Sequence, residues 1–128
     1  MNYFFGVDYY PEHWPRDRWE TDARLMQDMG IDVVRMAEFS WSKLEPAKEK
    51  FNFGWLDEAI SLLAGHGIKT ILGTPSAAPP PWIIAEDPDI QPIDQKGRRR
   101  HMGGRHHDPQ SNKAYRALIR LLYTSPIP

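Results

Sequence analysis

The 128-residue sequence contains no cysteine, so disulfides and thiolate metal ligands are excluded from this chain. Nor does one sign of charge dominate: sixteen basic residues stand against seventeen acidic ones, for a net charge of −1. A dedicated nucleic-acid binder carries a basic excess, and this balance argues against one. No stretch approaches the ~20 apolar residues that a membrane span requires. The opening MNYFFGVDYY lacks a basic leader and a long apolar core, and Asp8 interrupts it early. The expectation is a cytoplasmic protein with no membrane segment. Neither GxGxxG nor a P-loop pattern follows the first apolar stretch, which weakens a nucleotide-binding reading.

What is present is a globular composition, 41% hydrophobic and 12% aromatic, which excludes disorder as the default state. Residues 3–10, YFFGVDYY, read as a strand. A helix follows, with Asp17 expected to cap it and Glu20, three residues on, to complete a capping box. Trp19, Ala23, Met26 and Met29 recur at helical spacing, and Gly30 supplies the left-handed stop. The run IDVVRMAEF then reads as a buried strand. The same grammar returns with the stripe Leu56, Ala59, Ile60 and Leu63, the acids Asp57 and Glu58 in the first turn, the stop Gly67 and the strand IKTILGTP. A third helix is expected from about Asn112, with Tyr115, Leu118, Ile119 and Leu122 as its stripe.

Strands alternating with helices predict a parallel sheet covered by helices, an α/β fold. Long loops follow the strands, over residues 41–52 and 76–111, whereas the returns from helix to strand are about one glycine long. That asymmetry favours a (β/α)8 TIM barrel, whose active face is built from the loops after the strands. Such a barrel needs ~250 residues. Three βα units are therefore expected to be the opening part of a larger whole, with residues 1–128 ending before strand four.

Chemistry-bearing residues cluster in those loops. Asp8, Glu12, His13 and Trp14 follow the first strand; Glu38, Trp41 and Glu45 follow the second; four prolines and Trp82 follow the third. Carboxyl groups and indoles at a barrel mouth suit sugar chemistry, because acids flank a glycosidic bond and indole faces pack on sugar rings. Glu38 also fits a structural role, bound to a cation or to backbone N–H groups, and Trp41 and Trp82 fit either core or site. Trp19 and Trp55, at helix starts, read as core. Further along comes GRRRHMGGRHHDP, residues 97–109, with four arginines and three histidines. Adjacent His106 and His107 point apart in extended chain and make a weak metal site. Arg98, Arg99 and Arg100 lack the interleaved aromatics of a nucleic-acid surface and read as solvated or paired with acids.

Taken in order, GVDYYPEHW, DVVRMAEFSWSKLEP, FNFGWLDEAI, GIKTILGTPSAAPPPW and GRRRHMGGRHHDP resemble the N-terminal part of the catalytic barrel of glycoside hydrolase family 42 β-galactosidases. The resemblance runs from about residue 4 to about residue 120. It implies a retaining enzyme that hydrolyses terminal β-D-galactosyl residues through two glutamates, an acid/base after strand four and a nucleophile after strand seven. By that pattern both catalytic residues fall beyond Pro128, Glu38 is not one of them, and the chain alone is expected to be inactive. The resemblance also matches Arg105, in the GGR portion of the fifth motif, to an arginine that reaches into the galactose subsite, with a structural ion pair as its alternative. Several family members carry a zinc-ligating cysteine just after that arginine. Asp108 and Pro109 occupy that neighbourhood here, so no metal and no other cofactor is expected. The implied partner is a β-galactoside substrate, with neither nucleic acid nor membrane, and with a homotrimer as the assembly the family often forms. Other readings are a related retaining β-glycosidase acting on a different sugar, and a non-catalytic sugar-binding module.

Overall fold

The computed structural model describes residues 3–99 and 112–124. The chain divides into two compact units, one formed by Met1–Ala37 with Phe53–Gly73 and the other by Glu38–Asn52 with Thr74–Pro128.

The first unit holds a three-stranded parallel sheet, β1 (Gly6–Asp8), β2 (Val33–Met36) and β3 (Lys69–Leu72), in the order β1-β2-β3. Its helices are α1 (Trp19–Asp28) and α3 (Gly54–Gly65). The expected α/β alternation is present, with every strand shorter than read. β1 covers three residues of the expected eight, because pairing with β2 extends only from Gly6↔Val33 to Asp8↔Arg35. Period-two alternation then sorts the sheet. Val34 and Met36 are sealed from solvent, while Gly6, Asp8, Arg35 and Ile71 share the opposite, exposed face.

The repeated helix stop is real in backbone terms. At the end of α1, Gly30 N–H bonds to Gln27 O and Ile31 N–H to Met26 O; at the end of α3, Gly67 N–H bonds to Ala64 O and Ile68 N–H to Leu63 O. Both glycines have φ of +75°, the left-handed conformation that the double-bond motif requires. The next residue in each case, Ile31 or Ile68, is buried and opens the run into the following strand.

Three expectations are corrected. Asp17 does not cap α1: it lies in a 3-10 turn, Arg16–Arg18, and the helix starts at Trp19 with Arg18 at the cap and no side-chain cap bond. Glu20 instead meets His66 Nε2 at 3.0 Å, and His66 Nδ1 lies 3.0 Å from Gln27 Oε1, so a link between helices displaces the local box. Of the α1 stripe, Trp19, Ala23 and Met26 are buried but Met29 is exposed. The second stripe buries Leu56, Ala59 and Leu63, with Ile60 half-buried. Arg16 Nη2 and Glu58 Oε1, 2.6 Å apart, add an exposed ion pair that holds the Glu58 carboxyl below its usual range; solvent screening leaves it a small contribution.

The second unit holds α2 (Trp41–Leu44), α4 (Pro81–Glu86) and α5 (Lys113–Thr124). The segments read as loops over 41–52 and 76–111 therefore carry short helices in their described parts. In α5, Tyr115 and Leu122 are buried and Leu118 and Ile119 half-buried, as the stripe predicted. No described helix is long and apolar enough to cross a membrane.

Gly6 pairs with Val33 on β2 and leaves no room for a side chain. A Cβ placed there would stand 2.6 Å from Val33 Cγ1 and 2.7 Å from Val33 O, and the backbone oxygen cannot swing aside. Gly6→Ala is expected to destabilise the fold by about 1–3 kcal/mol, read as a lowered urea midpoint at unchanged slope. A wild-type midpoint would refute the close approach.

Candidate functional site

Two groups of candidate side chains form, one in each unit. In the first unit, Asp8 ends β1 directly opposite Arg35 on β2. Together with Gly6, Val33 and Ile71 they line a cavity of about 260 Å³ on the exposed sheet face. Sequence reading passed over Arg35 because it sits inside an apolar run. Its signal was the alternation of that run, which places residue 35 on the face away from Val34.

The turn after β1 begins with Pro11–His13 in a 3-10 turn, whose Pro11 carbonyl accepts the Trp19 indole N–H at 2.9 Å. This bond ties the turn to the start of α1. Glu12 is half-buried; His13 and Trp14 are exposed. The His13 ring lies 5.4 Å from that of Tyr10, and the Arg18 guanidinium lies over Trp14 at 4.6 Å. Tyr9, also missed, donates its hydroxyl to Asp22 Oδ2 at 3.2 Å, while Arg18 Nε donates to Asp22 Oδ1 at 3.0 Å. Burial, and then the charge and acceptor of Asp22, raise the Tyr9 phenol above its ordinary value. A groove of about 430 Å³ runs beside these groups, with Leu25 and Met29 as its apolar wall.

Ala37, the last residue of the first unit's opening segment, turns the chain out of β2 with φ of +75°, a costly conformation for a residue with a Cβ. The next residue, Glu38, is buried. Trp41 is wholly buried, its ring 5.5 Å from that of Tyr115, so its core reading holds. Tyr115 in turn donates its hydroxyl to the Ser76 carbonyl. Glu45 is 4% exposed and takes up both oxygens in structure: Oε2 accepts the Trp41 indole N–H at 2.8 Å, and Oε1 accepts Glu49 N–H at 2.9 Å. Its backbone oxygen accepts the Trp82 indole N–H at 2.9 Å. Trp82 itself stays half-buried, on the first turn of α4.

The arginine run is partly visible. Ile93 and Arg99 form an isolated antiparallel bridge around a turn at Gly97, and Asp94 Oδ1 accepts the N–H groups of Lys96 and Arg98. Arg98 pairs with Asp94 at 3.0 Å, and Arg99 with Asp89 at 2.8 Å and the Pro88 carbonyl. These two arginines are thus paired with acids, the alternative to nucleic-acid contact. Arg100, Arg105, His106, His107 and Asp108 lie outside the described residues. Among the described residues, no group of three His, Asp or Glu side chains is placed to hold a metal ion.

Comparison with known proteins gives a consistent match. The glycoside hydrolase family 42 model, described as beta-galactosidase, matches residues 8–125. A beta-galactosidase of Thermus thermophilus is 50% identical over 119 residues, which are 93% of this chain and 18% of that protein. The crystal structure of the beta-galactosidase from the psychrophilic Marinomonas ef1 superposes with a TM-score of 0.88 at 43% identity, over 94% of this chain and 18% of that one. The polyextremophilic beta-galactosidase from the Antarctic haloarchaeon Halorubrum lacusprofundi gives 0.88 at 46% identity with the same coverage. The chain spans about 18% of the length of these relatives.

The raised Tyr9 phenol has a measurable consequence. Its neutral form is favoured in the folded state, so the stability it contributes is present below the usual value of about 10 and is lost as pH rises through the higher folded value. In an alkaline titration followed by phenolate absorbance, Tyr9→Phe is expected to remove a late-ionising tyrosine. Loss of an early-ionising one instead would contradict the Asp22 contact.

Proposed function

The chain belongs to glycoside hydrolase family 42, and on that premise we propose that it supplies the first three βα units of the TIM-barrel catalytic domain of a retaining β-galactosidase. The observation that carries the reading is the parallel β1-β2-β3 sheet with its helix returns, superposing over 94% of the chain on a beta-galactosidase at 43% identity. Residues 1–128 are then the N-terminal part of that domain, and strand four begins beyond them. The whole protein hydrolyses terminal non-reducing β-D-galactosyl residues in carbohydrate catabolism.

The division of labour follows from retaining chemistry. Two carboxyl groups ~5–5.5 Å apart flank the bond, one as acid/base and one as nucleophile. In the family pattern both stand on strands four and seven, so residues 1–128 alone are inactive and contribute walls rather than the reacting pair. The exposed sheet face bearing Asp8 and Arg35 supports this reading, because in a closed barrel that side faces inward. Arg105 is the substrate-binding residue of this segment: a guanidinium offers five donors to sugar hydroxyls and to a neighbouring carboxylate. The reaction needs no cofactor, and the assembly is a homotrimer of the full-length protein.

The deciding experiment expresses the full-length protein and assays nitrophenyl β-D-galactoside beside the β-glucoside and β-xyloside. Preference for the galactoside is expected; hydrolysis of none of them sinks the reading. Against the active wild type, Arg105→Ala is expected to lower kcat/KM about 10–100-fold, the loss of one or two charge-assisted hydrogen bonds. An unchanged kcat/KM would return Arg105 to a structural ion pair.

A further inference from the structure

Two indole N–H groups from separate segments of the chain end on one residue. Trp41, in the segment after β2, donates to the Glu45 carboxyl, and Trp82, in the segment after β3, donates to the Glu45 carbonyl. The carboxyl is further tied by Glu49 N–H, in a turn where Glu49 itself has φ of +59°. Backbone bonds close the frame: Glu45 N–H to Trp41 O at 2.7 Å and Asn52 N–H to Leu44 O at 2.8 Å. Trp41 and Glu45 are buried, so their polar atoms are spent on holding one another. Trp82 differs, with its polar edge anchored and its ring half-buried.

An indole whose N–H is fixed while the residue stays only partly buried is a rigid apolar plate, the shape that a sugar ring's apolar face packs against. A plate of this kind binds without ordering cost only if its anchor does not move, and here the anchor's position is set by the Glu45 carboxyl. We propose that Glu45 is a positioning residue which, by fixing Trp41 and Trp82 together, holds the Trp82 ring as a stacking platform for the galactoside. The inference rests on the β-galactosidase reading and deepens it. It turns a carboxyl that looked like a candidate acid into the support of a binding wall.

The test uses the full-length enzyme with nitrophenyl β-D-galactoside. Trp82→Phe keeps an aromatic ring and removes the anchoring donor; Glu45→Gln leaves one oxygen where two N–H groups need acceptors. Both are expected to raise KM about 2–10-fold, the range of one aromatic packing contact, with kcat within about twofold, the signature of lost uniform binding. Lys48→Gln opens the exposed Lys48–Glu86 ion pair, which joins the same two segments by charge rather than through an indole N–H, and is expected to leave KM unchanged. With 5-fluorotryptophan labelling, the Trp82 fluorine signal, identified by its loss in Trp82→Phe, should shift when isopropyl β-thiogalactoside is added. That shift should shrink in Glu45→Gln.

An unchanged KM in Trp82→Phe overturns the proposal whether or not Glu45→Gln folds. A raised KM in Trp82→Phe with a wild-type KM in folded Glu45→Gln overturns the role of Glu45. If Glu45→Gln does not fold, Trp41→Phe, which removes only the donor on the carboxyl side, stands in with the same two readings. An effect of Lys48→Gln equal to that of Glu45→Gln would mean general loosening and would also overturn it. A wild-type enzyme that cleaves no β-galactoside removes the functional reading first, and this one with it.

Discussion

The backbone pairing of β2 along both of its edges is the constraint on which the first unit depends. Val34 and its neighbours bond to β1 on one side and β3 on the other, so the alternation of three strands is locked into one register. A shift by one residue would bring Arg35 to the helix side and expose Val34, at the cost of burying a charge. The same register that seals Val34 and Met36 therefore sets Asp8, Arg35 and Ile71 together on the open face. Stability and candidate chemistry are two faces of one alternation.

In the second unit the organising force is hydrogen-bond satisfaction. A buried indole N–H or carboxyl oxygen without a partner costs about 1–3 kcal/mol. Trp41, Glu45 and Trp82 meet that cost by partnering one another, and Trp41 also packs on Tyr115. Residues that resemble active-site groups by type are thereby bound into the frame. The arginines at 98 and 99 tell the same story at the surface, paired with acids four and ten positions earlier in the chain.

Much of the fold was legible because its signals are local. The two Gly stops, the helical stripes and the apolar strands follow from steric preferences within a few residues, and the backbone bonds at Gly30 and Gly67 match each other bond for bond. The errors have a common cause. Asp17 and Glu20 formed a plausible local pair, but Glu20 found His66 forty-six positions away and the chain before α1 tightened into a 3-10 turn. Met29 kept the period of the stripe but lies just past α1, at its C-cap, on the exposed wall of the groove beside β1. Among the candidate site residues, Trp41 and Glu45 could not be sorted from Trp82 by type or spacing.

The sequence by itself determined the alternation of strand and helix, the places where helices stop, and, through five ordered motifs, the family. Each of these is written in near-neighbour sterics or in residue order. Only the tertiary structure decided which polar groups are consumed in holding the fold. Trp82 meets Glu45 across thirty-seven positions, and the sheet register sets Arg35 opposite Asp8. A side chain's partner is chosen by burial and distance, and neither quantity exists until the chain has packed.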